Sequence, residues 1–306
     1  MCAYWASGGK IMNNIPEYRR RVGSYHCSAS GATQPLDEHI LKLLLRKEYK
    51  MGFPFAARPR AGQIIQEIVD IAEGLDDYKP MEGKKQGKPI TDAIRLGLRE
   101  YNFYKPKDWD DGRDAEEFHH FKEVIPTMAV HAHNGLKEYY DMDKVIGEHQ
   151  RFHTENELDV PIILFTDYTD GERQIDLKCS FPLRNPPKKD GTRTWRNPKP
   201  KTQPTRQQVM QQAVYWKSTG EEPALLFVTP EGYNIVTKDN CPDLSYDSLE
   251  QAYAEVMARW KIVQNLLRVA DGDWKTLFGL VQPDFAQIAT RHGSEILNIA
   301  KEHWNI

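Results

Sequence analysis

The hydrophobic period of this chain changes near Lys144, and that change confines it to a helical front joined to a sheet. Residues 36–49 (LDEHILKLLLRKEY) carry apolar side chains at helical spacing after Pro35, which suits the first turn of a helix. Residues 61–73 (AGQIIQEIVDIAE) repeat the pattern and stop at Gly74, a C-terminal cap. PMEGKKQGKP (80–89) reads as an exposed loop, and Thr91 as the cap of a helix over TDAIRLGLREY. A further helical stretch from about Asp114 to Tyr140 is expected to break at Pro126. Beyond Lys144 the segments KVIGEHQRF, VPIILFTDY and RQIDLKCSF read as three strands with polar turns between them. TRQQVMQQAVYWKS returns to helical spacing, ALLFVT and YNIVT are short strands able to join the same sheet, and helices follow with a break near Asp271-Gly272. The expected class is α/β: a central mixed sheet flanked by helices, with helical additions at both ends. We place the helical N-terminal part at about 28–142, the sheet core at about 143–240 and the C-terminal helices at about 245–306 of one domain.

Composition narrows the possible functions. The 306 residues are 40% hydrophobic and 28% charged, which suits a globular chain with a sizeable core. No run approaches about eighteen apolar residues, and the N-terminus lacks a long apolar centre, so a cytoplasmic address and no membrane partner are expected. Cys2, Cys27, Cys179 and Cys241 lie far apart without a CxxC pair, which argues for reduced thiols. His119-His120, His131-x-His133 and His149 with His153 lack a zinc spacing and read as structural histidines. A net charge of −3 gives no general attraction to nucleic acid, so any such role rests on local basic clusters.

Residues 161–179 (PIILFTDYTDGERQIDLKC) form a hairpin pattern around an Asp-Gly turn, with Asp167 ending its first strand. Side chains alternate along the second strand. Ile175, Leu177 and Cys179 therefore share one face, and Asp176 and Lys178 share the other. An acid and a lysine on a face that should pack are costly unless paired or bound to a metal. Carboxylates on adjacent strands suit one or two Mg²⁺, and a neighbouring ammonium suits water activation and charge stabilisation in phosphodiester hydrolysis. Glu148 precedes the hairpin and is a candidate third acid. Gln211 and Tyr215 stand at i and i+4 on one helical face, available to bind phosphate or orient the lysine. Between them and the hairpin lies a segment with six prolines and eight Lys or Arg against one Asp. We read it as a basic loop whose Arg184, Lys188, Lys189, Arg193, Trp195 and Arg196, with Lys199 and Lys201, are candidate contacts to a nucleic-acid backbone.

The order acid, hairpin Asp, Asp-x-Lys and Gln-x-x-x-Tyr resembles the PD-(D/E)XK nuclease superfamily, in particular its RecB-like and lambda-type phage exonuclease branch. TDYTDGERQIDLKC is similar to the active-site hairpin of lambda-type exonucleases, and QQAVYWKSTG to the helix that follows it in RecB-like nucleases; the likeness covers about 145–236. The resemblance implies a restriction-endonuclease-like core and Mg²⁺- or Mn²⁺-dependent cleavage of DNA. It makes Asp167, Asp176 and the Leu177 carbonyl metal ligands, Glu148 the upstream acid and Lys178 the catalytic lysine, with Gln211 and Tyr215 flanking them. Ser28-Ala29-Ser30 and Gly62 to Gln66 sit where that branch has a serine-containing helix start and a Gly-x-x-x-His segment, but Gln66 stands in place of the histidine. The cysteines offer no cluster-binding group, so no iron–sulfur cluster is expected. The implied activity is an exonuclease acting on DNA ends in phage recombination or DNA degradation. A structure-specific endonuclease and a catalytically silent DNA-binding protein are the alternatives. DNA, a single-strand annealing or binding protein, and further copies of the chain are the implied partners.

Overall fold

Where the N-terminal half shows helical spacing, it folds as helix. The computed structural model describes residues 15–52, 56–75, 85–107 and 112–305. Within them lie α1 (Glu17–Val22), the two-residue strand β1 (Cys27–Ser28), α2 (Ala29–Ala32), α3 (Leu36–Lys47), α4 (Ala57–Glu73), α5 (Ile90–Tyr101) and α6 (Arg113–Tyr139). α4 stops at Gly74, which takes the left-handed conformation (φ 67°) and donates its N–H to the carbonyls ending the helix. Two expectations need correction. Thr91 lies inside α5, whose cap position is Pro89 with no side-chain cap; the fixed φ of proline starts the helix instead. Pro126 sits within α6 without breaking it. A mid-helix proline costs about 3 kcal/mol, but Ile125, Met128, Ala129 and Ala132 are fully buried around it. At roughly 1.5–3 kcal/mol for each large apolar side chain, that burial outweighs the lost bond. Of the loop read over 80–89, residues 80–84 lie outside the described residues, and 85–89 are exposed coil.

The second half supplies β2 (His149–His153), β3 (Ile162–Thr166), β4 (Tyr168–Thr169), β5 (Arg173–Cys179), β6 (Leu183–Arg184), β7 (Trp195–Arg196), α7 (Arg206–Thr219), β8 (Glu222–Thr229) and β9 (Gly232–Val236). It then runs through α8 (Tyr246–Ala270), α9 (Trp274–Leu280) and α10 (Phe285–His303). The class is mixed α/β, but the single central sheet is divided: one sheet runs β1-β3-β2 and another β4-β5-β8-β9. The division falls at Asp167, whose carboxylate accepts the Leu177 N–H at 2.8 Å and so takes a donor that a continuing ladder would use. The proline-rich basic segment is not all loop. β6 and β7 pair within it as a short antiparallel hairpin.

β5 and β8 are parallel, so the chain between them must cross over, and α7 makes that crossing against the sheet. The side chains of β8 divide accordingly. Ala224, Leu226 and Val228 join a core with α4, α5 and α6, whereas Leu225 and Phe227 join a core with α7 and α8. A third cluster packs α3 against the end of α8 and against α9 and α10. The break after α8 falls where expected, with Asp271 and Gly272 both at positive φ.

Candidate active site

Alternation along β5 produces the site. Ile175, Leu177 and Cys179 face the α4–α6 core. Asp176 and Lys178 pair across the ladder with Leu225 and Phe227, so they occupy the face that β8 buries beneath α7. The turn before them is the expected Asp-Gly turn: Asp170 accepts the N–H groups of Glu172 and Arg173, and Gly171 takes φ 89°.

Strand register aligns the acids. β4 and β5 pair Tyr168 with Ile175, so one further step sets Asp167 opposite Asp176. β2 pairs His149 with Thr166, and the isolated bridge Ile146–Thr169 falls in the same register, which sets Glu148 opposite Asp167. Three acids thus follow one another across three strand segments. Their side chains are not equivalent. Asp176 is 4% exposed, whereas Glu148 is exposed, stands just before β2 rather than on it, and does not line the cleft. Its charge still reaches Tyr215, whose hydroxyl it helps hold above the usual phenol range after burial and the two aspartates.

Burial and the neighbouring Asp176 carboxylate push Asp167 well above the ordinary carboxylate range. Lys178 lies 2.6 Å from Asp176 Oδ2. Burial pulls its ammonium down, but Asp176 and Asp167 outweigh that and leave it above its usual value. A hydrogen-bonded line fixes its position: Lys178 Nζ donates to Gln211 Oε1 at 3.0 Å, Gln211 Nε2 to the Tyr215 hydroxyl at 2.8 Å, and Tyr215 to the Phe165 carbonyl at 2.8 Å. Gln211 and Tyr215 therefore meet the lysine as their helical spacing suggested.

The group opens onto a cleft of about 480 Å³. Leu177 lines it, as do Gly62 and Gln66 from α4, the segment in which the resemblance places a histidine. Compared with family models, curated proteins and solved structures, the chain matches none. What the site can do therefore rests on its own geometry.

That geometry includes residues the sequence reading passed over. Gln212 is fully buried and donates to Asp176 Oδ2 at 3.0 Å. A polar residue at a buried helical phase, beside the apolar Val209 and Ala213, was the available signal. Arg58, Gln63 and Gln208 also line the cleft; Arg58 donates to Glu117 and to the carbonyls of Phe181 and Pro182. Among the basic residues between 182 and 206, Lys201 reaches the cleft wall. Lys188, Lys189, Arg193 and Arg196 are exposed on the hairpin or its connecting loop. Two of the candidate contacts are directed elsewhere. Arg184 pairs with Glu116 at 2.6 Å, and Trp195 stacks on His120 with ring centroids 4.2 Å apart, so both anchor the hairpin to α6.

Of the histidines singled out in the sequence, His131 meets the Thr229 carbonyl, His133 meets Glu73 and His153 meets Glu155. Among the described residues no three His, Cys, Asp or Glu side chains converge as a metal cluster, and no helix is long and apolar enough to cross a membrane. Cys27, Cys179 and Cys241 are free thiols, while Cys2 lies outside the described residues. Burial and then Asp167 push the Cys179 thiol up to about 12, so it stays protonated against the core.

Proposed function

We propose that this chain is a metal-dependent deoxyribonuclease with a restriction-endonuclease-like core of the PD-(D/E)XK type, acting as an exonuclease on DNA ends. The observation that carries the reading is the buried Asp176 beside the half-buried Asp167, with Lys178 next to them, open to a cleft. Two carboxylates forced together at low exposure repel one another, and a divalent cation relieves that repulsion. The donor set fits Mg²⁺ or Mn²⁺, since Mg²⁺ needs only one or two carboxylates and keeps several waters. Asp167, Asp176 and the Leu177 carbonyl would hold it, with Glu148 the acid next in register. When bound, such a cation supplies a more acidic water and a counter-charge for the leaving oxygen.

The protein's own groups complete the chemistry. Gln211 and Tyr215 hold Lys178 in one place, so its ammonium can hold the attacking water and offset charge that builds on the phosphate. Asp176 and Asp167 set the protonation of Lys178: when their charge is engaged elsewhere, burial alone acts and favours the neutral amine. Lys201 on the cleft wall and the exposed cations of the β6–β7 hairpin suit a phosphate backbone approaching the acids. The preference for ends rests on the likeness to phage exonucleases.

The test is cleavage of linear and covalently closed circular duplex DNA with Mg²⁺ or with EDTA. The expected result is Mg²⁺-dependent loss of linear DNA alone, with activity reduced at least about a hundredfold in Lys178→Ala. Nicking of circles would transfer the reading to an endonuclease. Absence of metal-dependent cleavage on any DNA form would overturn the enzymatic reading.

A further inference from the structure

A second cavity, sharing no lining residue with the cleft, lies between α1, the segment leading into α2, and α3. Its walls carry Arg19, His26, His39, Lys42 and Arg46. Arg19 is matched: Asp159 lies 2.6 Å from its guanidinium, which also donates to Ser24 and Gln264. The remaining four cationic or basic side chains have no ion pair or hydrogen bond among the described residues, and His26 Nδ1 and His39 Nε2 are buried atoms without a partner. Unsatisfied buried polar atoms are rare and need an explanation.

The sign of the field indicates what is missing. Burial, then Arg46 and Lys42, holds His26 down at about 4. Burial, then Lys42, Arg19 and Arg46, does the same to His39, and burial with Arg46 lowers Lys42. A metal ion placed among these histidines would meet the uncompensated charges of Lys42 and Arg46, so an anion is the complementary occupant. The void is about 50 Å³, several times the roughly 10–15 Å³ that one water needs. An apolar cleft of about 230 Å³ shares Gly31, Gln34, His39, Trp260 and Val263 with it and extends along Pro35 and Ile262, the last 54% exposed.

We propose that this double cavity binds a phosphate monoester, its dianion held by His26, His39, Lys42 and Arg46 and its organic part lying along Pro35, Trp260 and Ile262. The site is independent of the nuclease reading. In EDTA, phosphate groups have no catalytic metal to bind, so the experiment uses metal-free protein at neutral pH. Thermal melting and calorimetry are run with inorganic phosphate and with phenyl phosphate, against sodium chloride at matched ionic strength. Both ligands should raise the melting temperature above the salt control, because they bind only the folded state, and phenyl phosphate should bind several-fold more tightly. Lys42→Met should weaken both by at least about tenfold while leaving the ligand-free melting temperature equal or higher, since it removes a mutually repelling charge. Ile262→Ser should reduce the advantage of phenyl phosphate and leave phosphate binding unchanged. Lys178→Ala should change neither.

Melting curves that coincide with the chloride control would overturn the site. So would unchanged affinity in Lys42→Met, or binding lost in Lys178→Ala, which would move the anion to the cleft. Phenyl phosphate no tighter than phosphate would overturn the monoester assignment.

Discussion

Asp176 and Asp167 occupy positions where a folding sheet would gain more from apolar side chains. Across the ladder from Asp176 is Leu225, fully buried, and the carboxylate is kept by a hydrogen bond from Gln212 and by Lys178. Because burial and Asp176 raise Asp167, the folded state keeps that carboxyl protonated at pH values where the unfolded chain ionises. The resulting penalty is absent below the unfolded pKa, grows as pH rises towards the folded value, and persists above it. Asp167→Asn should therefore raise the melting temperature of the metal-free protein near neutral pH, by about 2–4 °C for each kcal/mol relieved, and abolish stabilisation by Mg²⁺. A lower metal-free melting temperature would show that the carboxylate is not strained. Gln212→Leu should cost about 1–3 kcal/mol in urea unfolding, because Asp176 then loses a buried donor. The aspartates and Lys178 were legible in the sequence because strand alternation fixes their face within a few residues. Gln212 was not, since its partner is 36 residues away and local spacing carries no trace of it.

The element that assembles the site is the β5–α7–β8 crossover. Its parallel pairing obliges α7 to lie over the acids, and the strands and helix were readable from period alone. The division of the sheet at Asp167 was not readable, because it depends on one side chain taking a backbone donor from the next strand. Pro126 fails to end α6 for a related reason: propensity acts locally, whereas the packing that carries α6 through it comes from distant residues. α4 and α5 approach closely at Gly97, where an added Cβ would fall 2.3 Å from Ile68 Cγ1. Gly97→Ala should destabilise the protein by about 1–3 kcal/mol in chemical denaturation, despite the better helix propensity of alanine. The β6–β7 hairpin makes a separate prediction. Lys188→Ala with Arg193→Ala should weaken DNA binding and flatten its dependence on salt, as measured by titration across ionic strengths. An unchanged slope would leave these exposed cations without a DNA role.

At the scale of the whole molecule, three packed cores hold the sheets between α4–α6 on one side and α7–α8 on the other, with α3 and the C-terminal helices forming the third. The succession of helical and strand-like periods indicated layers of this kind, but not which helices would close a charged cavity that shares no lining residue with the cleft. That cavity should make the protein sensitive to acid. Free histidine titrates near about 6.5, whereas His26 and His39, facing Lys42, Arg46 and the Arg19–Asp159 pair, are held near 4. Between those values the unfolded chain binds more protons, so stability should fall as pH drops from about 6.5 towards 4. Melting temperatures measured across that interval should show the decline, and His39→Gln should flatten it. The crossover also has a consequence for synthesis. Asp176 and Lys178 are translated well before α7 and β8, yet their hydrogen-bonding partners and neighbouring strand come from residues 206–229. A chain still on the ribosome at residue 200 holds both aspartates and the lysine but lacks the helix and strand that order them, so the groove can take shape only after most of the message has been read.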